Sequence, residues 1–71
     1  MTELQASVES LHTRFHKALL DLKQITHMPS REDHLAYVDE LIDEAEFLKQ
    51  NYGDQLHPLV NGKLTHIINY N

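Results

Sequence analysis

Apolar residues recur along the first third of the chain with a seven-residue period. From Leu4 onward, the steps between them alternate between four and three residues: Leu4, Val8, Leu11, Phe15, Ala18, Leu22 and Ile25. This spacing places them on one face of an α-helix, and the two-residue alternation of a β-strand cannot produce it. The pattern predicts a first helix over about residues 2–27. We expect it to end at Met28 and Pro29, because a residue that precedes proline is disfavoured in the helical conformation.

A second stretch of helical periodicity follows. Ser30 stands three residues before Asp33, a spacing that resembles a capping box. The pattern predicts a helix over about residues 31–51, with Gly53 taking the left-handed conformation that often closes a helix. Its apolar face is wider than a two-stranded seam requires, so we expect it to contact more than one neighbour. The face holds Leu35, Val38, Leu41, Ile42, Ala45, Leu48 and Tyr52.

The last segment predicts a short third helix over about residues 55–69. Pro58 is tolerated in a first helical turn. Gly62 lies in the interior of this helix, where glycine costs about 1 kcal/mol relative to alanine. The apolar positions that share a helical face are Leu56, Leu59, Val60, Leu64, Ile67 and Ile68.

Together these elements predict one all-α domain over residues 1–71. Short connections make consecutive helices antiparallel neighbours, so 2–27 and 31–51 should form a hairpin with 55–69 laid across it. A first helix of about 40 Å is longer than the third can cover, which should leave part of its apolar seam bare. We therefore expect a homodimer that completes a helical bundle. The alternative is a hairpin that completes a bundle with a different protein.

Length and composition narrow the classes of function. A chain of 71 residues buries a small core, so its stability depends on regular helix packing, self-association or a metal. The absence of cysteine excludes disulfides and thiolate metal sites. A net charge of −5 argues against direct binding to nucleic acid. No apolar run is long enough to span a membrane, and no signal-peptide pattern is present, so we expect a cytoplasmic protein without membrane contact.

The predicted second helix carries an unusual density of acids. Between residues 32 and 46 there is no lysine or arginine, whereas an exposed helix ordinarily mixes both signs of charge. One interpretation is pairing with Arg14, Lys17 and Lys23 across the hairpin. The other is docking on a basic surface of another protein, of which nucleic-acid mimicry is the extreme form. The acids are Glu32, Asp33, Asp39, Glu40, Asp43, Glu44 and Glu46.

Phe47 is predicted to point away from the core, opposite Val38 and among these acids. An aromatic side chain gains nothing by facing water, so either the third helix or a second subunit should cover it, or it anchors a partner. Leu20 raises the same question on the first helix. The partner-binding residues that we predict are Phe47 as apolar anchor and, as a rim, Glu40, Asp43, Glu44 and Glu46.

A possible metal site lies on the first helix. Two histidines four residues apart, His12 and His16, can chelate zinc on one helical face, and Glu9 precedes them by one turn. We expect this trio to point outward, opposite the Leu11 seam, as hydrated surface side chains. The interpretation we adopt is therefore no metal and no cofactor, with Glu9, His12 and His16 as the alternative.

Enzymatic activity is not expected. The chain has no cysteine nucleophile, no glycine-flanked serine and no glycine-rich phosphate loop. We expect structural roles for His34, which projects toward the core, and for His57, which can cap the helix that begins at Pro58. The sequence favours a small acidic helical module that binds another protein and modulates it by inhibition or adaptation. The alternatives are a structural assembly subunit and a histidine/carboxylate metal-binding helix.

Overall fold

The computed structural model describes residues 2–26 and 30–70, and these residues are almost entirely helical. No strand occurs in either described range, which confirms the predicted all-α class. None of the helices there combines the length and the apolar character needed to cross a membrane. The elements are α1 (Glu3–Leu22), α2 (Ser30–Tyr52), a 3-10 helix (Gly53–Gln55) and α3 (Pro58–Ile68).

All three α-helices contribute to one hydrophobic core, and each helix packs against both others. The seam of α1 is buried from Val8 to Leu22 within the single chain, with Leu4 half-buried at its start. The expectation that part of this seam stays bare is therefore wrong, because α2 and α3 both cover it. The buried core consists of Val8, Leu11, Phe15, Ala18, Val38, Leu41, Ile42, Ala45, Val60, Leu64 and Ile67.

Specific contacts fix how α2 lies against α1. An imidazole nitrogen of His34 lies 2.8 Å from the carbonyl oxygen of Ala18. Farther along α2, Glu44 lies 3.8 Å from the guanidinium group of Arg14. Residues farther along α2 therefore contact residues nearer the start of α1.

Along α3 the contacted residues of α1 move toward the end of α1, which is the reverse of the order along α2. Lys63 lies beside Glu9, with 3.4 Å between the ammonium nitrogen and a carboxylate oxygen. Two residues beyond the end of α3, the ring of Tyr70 meets the buried ring of Phe15 edge-on, with centroids 5.4 Å apart. The third helix therefore packs alongside α1 over most of its own length, rather than only crossing it.

The first helix ends at Leu22, earlier than the predicted limit of about residue 27. Beyond Leu22 the chain tightens into a turn, in which the N–H of Ile25 donates to the Leu22 carbonyl at 3.3 Å. The Arg31 guanidinium donates to the carbonyls of Leu22 and Ile25, at 3.2 and 3.1 Å. The last turn of α1 itself holds no basic residue. Arg31 therefore provides the positive charge that the dipole favours at the C-terminal end of a helix. The predicted stop at Met28 and Pro29 lies outside the described residues.

The second helix agrees with its predicted limits to within one residue, but its ends differ from expectation. Ser30 is already helical rather than a flanking cap. Gly53 does not adopt the left-handed conformation predicted for it. Instead the chain continues into the 3-10 helix, where the N–H of Leu56 donates to the Gly53 carbonyl at 3.3 Å.

The start of α3 confirms the predicted role of His57. Its Nδ1 atom accepts a hydrogen bond of 3.1 Å from the N–H of Leu59, and Pro58 occupies the first turn. A side-chain acceptor at this position satisfies one of the unpaired N–H groups of the helix end. The helix is shorter than predicted, since residues 55–57 lie outside it.

Gly62 offers a direct test of this description of α3. A Cβ atom built at Gly62 meets nothing within 4 Å, and the residue lies in the helix interior. We expect Gly62→Ala to raise the free energy of unfolding by about 1 kcal/mol, because alanine has the higher helix propensity. Urea denaturation measures this change. Gly62→Asn serves as the control and should gain less, whereas a destabilising Gly62→Ala would contradict the helical environment described here.

Candidate functional site

The outer face of α2 exposes one large aromatic side chain among carboxylates. Phe47 is 57% exposed, and the third helix does not cover it. Asp43 and Glu44 lie one turn before it and Glu40 two turns before it, and all three are exposed. Glu46 is exposed as well, at the edge of α2 that faces α3, where it lines a shallow depression with Thr65 and Ile68 among others. The structure thus excludes α3 as the cover that the sequence allowed for Phe47.

A second aromatic residue, Tyr52, joins Phe47 at the end of α2. The ring centroids lie 6.3 Å apart and the rings meet nearly edge-on, an arrangement that aromatic pairs favour. The sequence pattern placed Tyr52 on the buried face, but it is exposed. The pair was missed because residues five apart do not share a face of a regular helix. We call Phe47 and Tyr52 the aromatic pair.

The residues that the structure describes compensate the charge on this face only in part. Among the described residues, Glu44 is the one acid of α2 that lies within salt-bridge distance of a cation, namely Arg14. Both side chains are about half exposed, and an ion pair of this kind contributes about 0–1 kcal/mol. In the described ranges, Lys17 and Lys23 make no ion pair with α2. The predicted pairing across the helices is therefore limited to one contact.

Three histidines form a second notable group, which we call the histidine cluster: His12, His16 and His66. The first two lie one turn apart on α1, and His66 approaches from α3. Ring centroids are separated by 4.9 Å for His12–His16, 5.8 Å for His12–His66 and 6.1 Å for His16–His66. One ring nitrogen from each residue lies within 4.8 Å of the other two.

The sequence offered Glu9, His12 and His16 as an alternative to the absence of a metal site, and the structure brings His66 rather than Glu9 to the two histidines of α1. The carboxylate of Glu9 lies 3.4 Å from the Lys63 ammonium group and outside the cluster, so His66 takes its place. The side of α1 that carries the histidines is not simply outward-facing, because α3 packs beside it and leaves His12 half-buried. The sequence could not indicate His66, since it did not fix the rotation of α3 about its axis.

The surroundings of His12 favour its neutral form. Partial burial lowers the pKa of His12 below its ordinary value of 6.5, because a charged ring is less well solvated there. The nearby positive charges of His16, Lys63 and His66 lower this pKa further. The cluster therefore resists protonation at His12.

The other histidine that contacts the protein interior has a structural role, as predicted. His34 is half-buried, and one of its ring nitrogens lies 2.8 Å from the carbonyl oxygen of Ala18. This contact ties the start of α2 to the end of α1. His34 belongs to neither the aromatic pair nor the histidine cluster.

No family model matches the chain, and no curated protein or solved structure shows significant similarity to it. The function is therefore inferred from the chemistry of the two surfaces described above, the acidic face with its aromatic pair and the histidine cluster.

The lowered pKa of His12 makes the free energy of unfolding depend on pH in a definite direction. The folded chain binds this proton less well than the unfolded chain, so the stabilising contribution is complete above pH 6.5 and is lost as the pH falls through the lowered pKa. Between pH 7.5 and 5.0, the free energy of unfolding should fall more in the wild type than in His12→Gln. Urea denaturation in the presence of EDTA measures both. Equal falls in the two proteins would show that His12 does not contribute.

Proposed function

We propose that this protein is an interaction module whose α2 face binds a basic surface of another protein and thereby modulates it. In this proposal, α1 and α2 act as an antiparallel hairpin that α3 stiffens from the side. Phe47 is the apolar anchor, and Glu40, Asp43, Glu44 and Glu46 steer the partner toward it. The observation that carries the proposal is the exposed ring of Phe47 inside a rim of acids, of which Glu44 alone has an ion-pair partner among the described residues.

The chemistry of this face indicates the kind of partner. A buried aromatic anchor surrounded by polar residues is the usual composition of the energetic centre of a protein interface. Carboxylates around such a centre raise the association rate with a cationic surface and disfavour anionic ones. The partner expected from this arrangement is a protein that offers an apolar pocket with lysine or arginine around it. Direct binding to a nucleic-acid backbone is disfavoured by the same charges.

Self-association through this face is the rival proposal. In a two-fold symmetric dimer the same surface patch lies on both sides of the contact. Asp43 and Glu44 of one copy would then face the acids of the other, and like charges in an interface are unfavourable. This argument favours a different protein as the partner. A homodimer, if it forms, is expected to use another surface, such as the exposed Leu20 or Leu59.

Substitution of Phe47 tests the anchor. Phe47→Ala should weaken partner binding by more than tenfold while leaving the melting temperature nearly unchanged, because the ring is exposed in the folded chain. Leu20→Ala is the matched control, since Leu20 is 59% exposed and lies on α1. Quantitative affinity capture from the source cells compares the wild type with both variants. The candidate partners are the proteins that the wild type and Leu20→Ala capture and that Phe47→Ala does not.

Other outcomes of this comparison would contradict the proposal. A large fall in the melting temperature of Phe47→Ala would place the ring in the core. Loss of a dimer in sedimentation experiments would place it in a contact between copies, which favours the assembly role. If Phe47→Ala captures the same proteins as the wild type, Phe47 is not the anchor.

The charged rim has a separate test. The double variant Glu40→Gln/Asp43→Asn removes two acids that have no ion-pair partner among the described residues. It should slow association with the captured partner at low salt, and the difference should shrink as salt screens the charges. Glu3→Gln/Asp21→Asn changes the net charge equally on α1 and should have a smaller effect. A rate that is independent of salt in the wild type would exclude electrostatic steering.

A further inference from the structure

The histidine cluster has nearly the geometry of a zinc site. Zinc–nitrogen bonds of about 2.0–2.1 Å in a tetrahedron put two ligating nitrogens about 3.3 Å apart. The candidate nitrogens of His12, His16 and His66 all lie within 4.8 Å of one another. Closing the site requires shifts of about 1.5 Å or less between them. His16 and His66 are exposed, so their rings can make these shifts by side-chain rotation alone.

The hydrophobic core holds the backbone of the cluster in place. Leu11 and Phe15, which are fully buried, adjoin His12 and His16 in α1. Ile67 follows His66 in α3 and is also fully buried. The three imidazoles are thus carried by rigid elements whose relative position the core determines, and a metal would not need to assemble the site from a disordered chain.

The cluster offers three imidazoles as its set of donor groups. Glu9 is held by Lys63 at 3.4 Å and is not among the candidate ligands. Three imidazoles without a thiolate or carboxylate favour zinc or copper over magnesium or calcium.

We propose that His12, His16 and His66 bind one Zn²⁺ ion through one ring nitrogen each, with water in the fourth position. The ion joins α1 to α3 across 50 or more residues of sequence. Such a link stabilises the folded chain alone, since the unfolded chain does not hold the three rings together. A chain of 71 residues without cysteine has no disulfide bonds to stabilise its small core, and a bound metal ion would add stability in their place. The site lies on α1 and α3, so it does not depend on the proposed binding face of α2.

Isothermal titration of the full chain with Zn²⁺ at pH 7.5, after EDTA treatment and dialysis, tests the site. The wild type should bind one ion, and His16→Gln and His66→Gln should each weaken binding by at least about tenfold. His57→Asn is the matched control, because it removes an imidazole outside the cluster and keeps a side chain that can cap α3. Its affinity should equal that of the wild type.

Glu9→Gln separates the two possible ligand sets. If Glu9 is not a ligand, this variant should bind Zn²⁺ with an affinity within a few-fold of the wild type. A loss as large as that of His66→Gln would overturn the ligand set that we propose. An undiminished affinity in His66→Gln would likewise overturn it, because binding would then require only the pair on α1.

Thermal unfolding supplies a second, independent result. At a free Zn²⁺ concentration of ten times Kd, the melting temperature of the wild type should rise by about 5–10 °C. His66→Gln, which should bind at least about tenfold more weakly, should rise by no more than about 3 °C at the same Zn²⁺ concentration. Its melting temperature in EDTA should match that of the wild type, since the ring is exposed. Binding weaker than about 1 mM, or no rise in the wild type, would overturn the proposal. Neither result depends on Phe47, so this test and the test of the α2 face can fail separately.

Discussion

Burial of a single stripe of α1 by both other helices is the contact on which the rest of the structure depends. Phe15 lies at the middle of that stripe with no exposed surface, and the Tyr70 ring meets it edge-on. Full burial of one such side chain contributes about 1.5–3 kcal/mol, a large share of the stability of a small domain. Since α2 and α3 both use this stripe, neither can rotate without opening the core.

Both candidate surfaces follow from this constraint. The residues of α2 that enter the core leave Phe47 and its neighbouring acids on the far side of the helix. The residues of α3 that enter the core, among them Ile67, place the adjacent His66 beside His12. The packing of one apolar stripe therefore positions an anionic face on one side of the chain and a group of imidazoles on another. Neither surface contributes residues to the buried core.

The helices and most core positions could be predicted from the sequence, because periodicity reports directly which side chains share a helical face. The end of α1 could not, since it depends on Arg31 reaching back from the next helix to the carbonyl of Leu22. His66 could not be assigned to a site, because the periodicity of a short helix does not fix which polar residues meet a neighbour. The exposed position of Phe47 was predictable, and its pairing with Tyr52 was not.

The acids of α2 repel one another within the folded chain. Asp39 and Asp43, and likewise Glu40 and Glu44, are like charges four residues apart, a spacing that destabilises a helix by about 0.2–0.5 kcal/mol per pair. Within the part of the chain that the structure describes, Arg14 offsets one of these charges and no other cation reaches them. In the interaction that we propose, a cationic surface of the partner would relieve this repulsion on binding.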